Sequence, residues 1–284
     1  MKKVILLLIL LPLAFFTVKG QDRETVRIMS FNIQTFGVSK MAKPEVVALL
    51  VDLVSQADII AVQEVRSLSA DPVEHFMALL PDTYRYVIGP RQGRSVSKEQ
   101  YWVIYDAEKI AVMEEDPWPD EDDVFERSPY AVYLKTNGTF DFILLNNHIQ
   151  PRAAEKEIRT LPQVVAYYTD LWNDPDVIIA GDLNADGRYF DKTLLDSIFP
   201  ETEYTIIFTD EDTTVAPSHN TYDRMIITSS VLENFTGSFG VMRFDEMYDF
   251  DVYRISPRAV SDHYPIWAEF WVGHDVEPVA DSVQ

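Results

Sequence analysis

Cysteine is absent from all 284 residues. That excludes disulfides, a thiol nucleophile and any cysteine-ligated zinc centre, so stability must come from packing and bound cations. Basic residues are scarce as well: 24 lysines and arginines stand against 46 aspartates and glutamates, a formal net charge of −22. A surface of that sign does not hold a polyanion by unspecific attraction, so such a partner is compatible only where basic residues cluster or metal ions neutralise a site. Long apolar runs are also lacking. The one candidate, Val4–Phe16, is too short for a comfortable membrane span. Lys2 and Lys3 precede it and Val18-Lys19-Gly20 follows, the pattern of an export signal with small residues at the cleavage site. Residues 1–20 are therefore expected to be removed, leaving a secreted or periplasmic chain with no stable membrane association. Loss of Lys2, Lys3 and Lys19 takes the charge from −22 to −25.

What remains, about 260 residues, can bury a large core within one domain, expected over 21–275 with an acidic tail at 276–284. Apolar, β-branched runs alternate with helical spacing throughout, and no repeat period is present. Strands are expected at Thr25–Ile33, Asp58–Gln63, Arg85–Ile88, Gln100–Tyr105, Tyr130–Lys135, Phe140–Asn146, Val177–Ala180, Asp223–Thr228 and Tyr264–Trp271. Helical spacing covers Pro44–Gln56, Asp71–Leu80 with Asp71 as N-cap, and Ala153–Trp172, which Pro162 should break in two. Glu114–Glu126, with eight acidic residues and two prolines, reads as an exposed loop. Many strands with interspersed helices point to an α/β sandwich.

The chemistry concentrates where strand-like runs end. Ser261-Asp262-His263 sets a carboxylate and an imidazole side by side, and four upstream segments supply partners: Phe31-Asn32-Ile33, Gln63-Glu64-Val65-Arg66, Asn147-His148 and Gly181-Asp182-Leu183-Asn184. Glu64, at the mouth of a buried strand, is suited to Mg²⁺, which takes hard oxygen ligands, and Asn32 could add a neutral carbonyl oxygen. Gly181 allows a close approach of the backbone to a ligand. Asp182 and Asn184, two apart on one strand, should share a face. Of five histidines, His148 and His263 end apolar runs, and imidazoles can both take and give a proton near neutral pH. Glu99 and Asp223 are the carboxylates available to orient them. His75, His219 and His274 read as surface residues, with His219 close in sequence to Asp223. Basic residues cluster at Arg91, Arg94 and Lys98 and at Arg152, Lys156 and Arg159. Together these features describe a divalent-metal phosphodiesterase.

The motifs Phe31-Asn-Ile-Gln-Thr-Phe-Gly37, Gln63-Glu-Val-Arg66, Lys98-Glu-Gln-Tyr101, Gly181-Asp-Leu-Asn-Ala-Asp186, Tyr222-Asp-Arg224 and Ser261-Asp-His-Tyr-Pro265 follow one another over Arg27 to Phe270. In kind and order they resemble the endonuclease/exonuclease/phosphatase superfamily, and within it the deoxyribonuclease I family. The resemblance implies a four-layered α/β sandwich of two packed β-sheets flanked by helices, and Mg²⁺- or Mn²⁺-dependent cleavage of DNA to 5′-phosphate and 3′-hydroxyl ends. It implies a metal site at Glu64 and Asn32 with Asp262 as a further site carboxylate, and phosphate-holding, water-orienting roles for Asp182 and Asn184. His148 would be the general acid paired with Glu99, and His263 the general base paired with Asp223. Arg66 would enter the DNA minor groove and Arg127 would contact backbone phosphate. A monomer acting on DNA is expected.

This chain departs from the family pattern at Ser97, where a sugar-stacking tyrosine is usual, and at Asn220, where a disulfide cysteine is usual. A structural Ca²⁺ could bind through Asp212, Thr214 and Ser218, although Ala216 removes one ligand position. The same superfamily core serves sphingomyelinases and inositol phosphatases, so a lipid or inositol phosphoester is the alternative substrate. A binding protein on an inactive scaffold would lack catalytic groups, and none is missing here.

Overall fold

In the computed structural model the described residues are 24–94 and 96–273; the expected export signal, the acidic tail and His274 lie outside them. Twelve strands form two six-stranded sheets. The first sheet contains β1 (Thr25–Phe36), β2 (Ile59–Val65), β3 (Tyr84–Ile88), β4 (Gln100–Asp106), β11 (Phe235–Val241) and β12 (Ile266–Trp271), ordered β11-β12-β1-β2-β4-β3. The second contains β5 (Ile110–Pro117), β6 (Tyr130–Thr136), β7 (Asp141–His148), β8 (Val177–Asp182), β9 (Tyr204–Ile206) and β10 (Asp223–Thr228), ordered β5-β6-β7-β8-β10-β9. Each sheet holds one parallel pair, β1 with β2 and β7 with β8; the other pairings are antiparallel. A parallel pair needs a crossover. It is supplied by the helices α1 (Val38–Met41) and α2 (Pro44–Val54) in the first sheet and, after α3 (Asp71–Met77), by α4 (Ala154–Trp172) in the second.

Period-two alternation sorts the side chains into layers. Val26, Ile28, Ala61, Val103, Val132, Leu144, Ile178, Met225 and Ala268 meet between the sheets. Met29, Phe31, Ile60, Val62 and Trp102 point the other way and take up Val46, Leu50, Leu53 and Phe76 of α2 and α3. On the far side Ile143, Leu145 and Ile179 receive Ile158, Leu161, Val165 and Tyr168 of α4. Helices, two sheets and helices make the expected four layers.

Several local expectations are corrected. Pro162 does not divide α4, which runs unbroken from Ala154 to Trp172. An interior proline costs about 3 kcal/mol, and the buried row Ile158, Leu161, Val165 and Tyr168 spans the site of the break and outweighs it. The N-cap of α3 is Ala70, with Asp71 and Pro72 inside the first turn, where an acidic side chain meets the positive helix end. The acidic stretch is loop only in its second part: Glu114, Glu115 and Asp116 pair with Tyr133, Val132 and Ala131 in β5. β5 lies at the sheet edge, and charges along an edge discourage pairing with other chains. β11, with Gly237 and Gly240 inside it, gave no strand pattern and forms by pairing with β12.

Candidate active site

The carboxyl ends of the two parallel pairs converge. Between Asn32 and Phe36 the register of β1 against β2 shifts, and Gln34, Thr35 and Glu64 adopt left-handed backbone with φ of 48°, 55° and 64°. Such irregularities re-aim side chains at a cost the surroundings must cover. Here the outcome is that the Asn32 Nδ2 donates to Glu64 Oε1 at 3.3 Å and to Asp182 Oδ2, on the other sheet, at 3.0 Å. The second Glu64 oxygen accepts from the Thr35 amide at 2.9 Å and pairs with Arg66 at 3.0 Å.

Asp182, at the end of β8, is the centre of the cleft. Nε2 of His148 and Nε2 of His263 each lie 3.5 Å from its Oδ2. Each imidazole is held from behind. His148 Nδ1 meets Glu99 Oε1 at 2.5 Å, and His263 Nδ1 meets Asp223 Oδ2 at 2.7 Å. A carboxylate on Nδ1 fixes the tautomer and leaves Nε2 for chemistry. All four groups are buried, with Asp223 at 0 % exposure and Glu99 at 2 %. Both expected pairs and the expected Asp182 are thus brought together.

Burial opposes ionisation of Glu99, but His148, Arg127 and Arg66 around it outweigh burial and hold its carboxyl down at about 2. For His263, burial pushes down, while Asp223, Asp182 and Asp262 more than offset it and raise it well above the usual imidazole range. Burial pushes its partner Asp223 up, against the pull of His263.

Since Glu99 has a depressed pKa, its stabilising contribution is complete above the ordinary value of 4.5 and is lost as pH falls from there toward 2. The shift corresponds to on the order of 3 kcal/mol. Glu99→Gln is therefore expected to lower stability at pH 7 and to flatten the acid limb of stability against pH. Urea unfolding between pH 3 and 7 measures both. An unchanged acid slope in the variant would show that Glu99 does not carry this charge.

The remaining site residues fall out less simply. Asn184 does not share a strand face with Asp182, because β8 stops at Asp182 and Asn184 turns left-handed (φ 48°). Its amide N–H donates to Asp182 Oδ1 at 3.0 Å and its Nδ2 to the Ile149 carbonyl at 2.9 Å. Gly181 serves the neighbouring strand, not a ligand: its φ is 148°, and a Cβ there would run into the Asn147 carbonyl of β7. Asp262 is half-buried, and its carboxylate makes no hydrogen bond among the described residues. Arg66 bonds to Glu64, Glu99 and Ser97 with its side chain 31 % exposed, whereas Arg127 faces inward. Arg127 donates to the His148 carbonyl at 2.9 and 3.0 Å and pairs with Glu99 at 2.8 Å, which orients the histidine from its backbone side.

Three of the six residues in the basic clusters have side-chain partners, two of them in exposed pairs. Arg91 binds the carbonyls of Ser67 and Lys98, Arg94 binds Asp123, and Arg159 pairs with Glu155 on α4. His219 is exposed and bonds to the Asp210 carbonyl. Asp212, Thr214 and Ser218 do come together, through hydrogen bonds of their own. Asp212 Oδ1 accepts from the amides of Thr214 and Asn220 and from the Thr214 hydroxyl, and Arg243 stands 3.8 Å from Oδ2. Thr214 Oγ1 also lies 3.4 Å from the Ser218 carbonyl, a second acceptor for the same hydroxyl hydrogen.

Three supports are not among the site residues expected from the sequence. Gln63 and Asn146, both fully buried, join the sheets beneath the cleft through a 2.7 Å bond. The Tyr101 hydroxyl accepts the His148 amide at 2.8 Å. Lys40 is 6 % exposed. A polar residue inside an otherwise apolar run, as at Gln63 and Asn146, is the cue that could have marked the first of these.

The donors at the cleft suit a hard cation. Glu64, Asn32 and Asp262 offer only oxygen besides the asparagine nitrogen, and the Asp262 carboxylate is without a hydrogen-bond partner among the described residues. Among those residues, Asp182, Asp223 and His263 also place donor atoms within 4.8 Å of one another. Because His263 and Asp223 are already bonded to each other, that trio reads as a proton-holding pair beside a carboxylate.

A four-layered sandwich with paired histidines around one aspartate defines a class of phosphoester hydrolases, and residues 29–263 match the Endonuclease/Exonuclease/phosphatase family. The chain belongs to that family, whose enzymes generally depend on divalent metal. It is 31% identical over 281 residues to human Deoxyribonuclease-1-like 1, covering 94% of this chain and 92% of that protein. It is 30% identical over 256 residues to mouse (Mus musculus) Deoxyribonuclease-1, covering 85% of this chain and 90% of the relative. An endonuclease/exonuclease/phosphatase structure from Bacteroides vulgatus superposes with a TM-score of 0.61 at 16% identity, over 87% of this chain and 99% of the other, which establishes likeness of fold. No helix among the described residues is long and apolar enough to cross a membrane.

Proposed function

We propose that this protein is an exported, divalent-metal-dependent endonuclease that hydrolyses DNA to 5′-phosphate and 3′-hydroxyl ends with little sequence specificity. The observation that carries this reading is the pair of imidazole Nε2 atoms facing one Asp182 oxygen at 3.5 Å, each backed by a buried carboxylate. In-line displacement at phosphorus needs a base for the entering water and an acid for the departing oxygen, set on opposite sides of the phosphate. His263, oriented by Asp223, takes the proton of the water. His148, oriented by Glu99, gives one to the 3′ oxygen. Asp182 and Asn184 hold the phosphate region and orient the water between them. Glu64 and Asn32, with Asp262 nearby, would hold Mg²⁺ or Mn²⁺, which when bound would supply positive charge to offset that of the phosphate. Arg66, partly exposed between Glu64 and Glu99, is the side chain placed to reach the DNA, and Arg127 acts through His148 and Glu99.

All of these residues come from one chain, so a monomer suffices. Structural Ca²⁺ at Asp212 is no part of this reading, because the loop closes on its own donors. The similarity to deoxyribonucleases at about 30% identity favours DNA over a lipid or inositol phosphoester.

The test is nicking of supercoiled plasmid by the protein from Gln21 onward in Mg²⁺. Chelator is expected to abolish nicking, and re-added Mg²⁺ or Mn²⁺ to restore it. Folded protein that leaves the plasmid intact but hydrolyses sphingomyelin or an inositol phosphate would replace DNA as the substrate. Nicking that persists in chelator would remove the metal.

A further inference from the structure

Lys40 is a buried ammonium group that the mechanism above does not use. Its Nζ donates to the Ile33 carbonyl at 2.6 Å and to the Val260 carbonyl at 2.7 Å, joining residues 220 apart from its own position to β1. Ile33 follows Asn32 directly, and Val260 precedes Ser261-Asp262-His263. A second tie runs in parallel: the Ser261 hydroxyl donates to the Asn32 carbonyl at 2.6 Å and accepts the His263 amide at 3.1 Å. The end of β1 and the loop bearing Asp262 and His263 are not a strand pair at this point, since β12 begins only at Ile266. Among the described residues no backbone ladder joins these two segments here and the side chains of Lys40 and Ser261 do, while backbone bonds to Thr213 and Val215 hold the loop on its other side.

We propose that Lys40 is a positioning residue: it straps the segment carrying Asn32 to the segment carrying Asp262 and His263, and so sets the spacing of the cation-holding oxygens. This rests on reading the cleft as a metal-dependent site. Lysine suits the task because its ammonium, on a long flexible stem, offers three donors and so reaches both carbonyls at once. Its charge also faces Glu64 and Asp262, and although burial lowers its pKa to about 8, these carboxylates favour the charged form. The sequence hides the role, because Lys40 lies on a four-residue helix outside every element expected from the sequence.

The strap and a mere neighbouring charge predict opposite results for cation binding. A cation next to a metal site repels the metal, so removing a charge alone would tighten binding. Removing a strap separates the ligands and weakens it. Lys40→Met keeps the stem as far as Cε and removes all donors; Lys40→Gln keeps the two amide donors on a shorter, uncharged stem and is the second variant should Lys40→Met fail to fold. Calorimetric Mn²⁺ binding to the protein from Gln21 onward, without DNA, is expected to weaken roughly 10–100-fold in Lys40→Met and less in Lys40→Gln. Plasmid nicking in saturating Mn²⁺ should show kcat reduced about 100-fold with KM for DNA nearly unchanged. Tighter Mn²⁺ binding, equal losses in the two variants, or full kcat in folded Lys40→Met would overturn the proposal. If the wild-type protein binds Mn²⁺ but nicks no DNA, the endonuclease reading fails while the binding comparison still decides on Lys40.

Discussion

Alanine at His148 should slow plasmid nicking by about 10²–10⁴-fold without unfolding the protein, and alanine at His263 by a similar factor. The two losses should differ in kind. His148 gives a proton to the leaving oxygen, so a phosphodiester with a nitrophenolate leaving group, which departs unprotonated, should largely escape the His148→Ala defect. His263 acts on the entering water, so its loss should persist on the same substrate. Combining both substitutions is expected to cost much less than the product of the single effects, because an acid and a base serving one displacement act as a unit. Rates on plasmid and nitrophenyl substrates, taken side by side for the three variants, measure this. An equal His148→Ala defect on both substrates would remove the acid role. Near-normal nicking by folded His148→Ala would remove His148 from catalysis.

The second large effect is expected at Asp182. Its Oδ2 is approached by His148, His263 and Asn32, and its Oδ1 receives the Asn184 amide. Asp182→Asn preserves shape but removes the charge around which these groups are arranged, and activity should fall about 10²–10³-fold. The substitution has a second signature. Asp182 is one of the carboxylates that raise His263, so its neutralisation should move the His263 titration toward lower pH. NMR titration of the ring in the metal-free variant reads that shift directly. A titration unmoved from wild type would mean that Asp182 does not act on His263, whatever happens to the rate.

How much of this was legible beforehand depends on how locally each feature is encoded. Strand-ending residues such as His148 and Asp182 were readable because a buried β-run announces itself over five or six residues, and a polar residue at its end stands out. The pairings Glu99 with His148 and Asp223 with His263 came from family resemblance, since partners 49 and 40 residues apart leave no local trace. Asn184 was misplaced because the strand was assumed to continue through it, and only its hydrogen bond to Asp182 reveals the left-handed turn. Arg127, expected at a backbone phosphate, also bonds to the His148 carbonyl and Glu99, a contact that leaves no trace in the sequence. In the basic clusters only the tertiary structure shows which arginines have acceptors, Arg91 at the Ser67 and Lys98 carbonyls and Arg94 at Asp123.

By itself, the sequence determined the supply of chemistry: oxygen donors without thiols, two histidines next to apolar runs, and enough alternating apolar residues for two sheets. These depend on composition and on short-range periodicity, which survive without knowing what packs against what. Tertiary structure alone decided that Asn32 and Asp182 meet across the sheets, that Gln63 bonds to Asn146 beneath them, and that Lys40 turns inward to hold β1 against Val260. The first two contacts span a gap that only the face-to-face packing of the sheets closes, and the third joins β1 to the loop ahead of its neighbour β12 within the first sheet. A buried donor or acceptor must find a partner there because water is excluded.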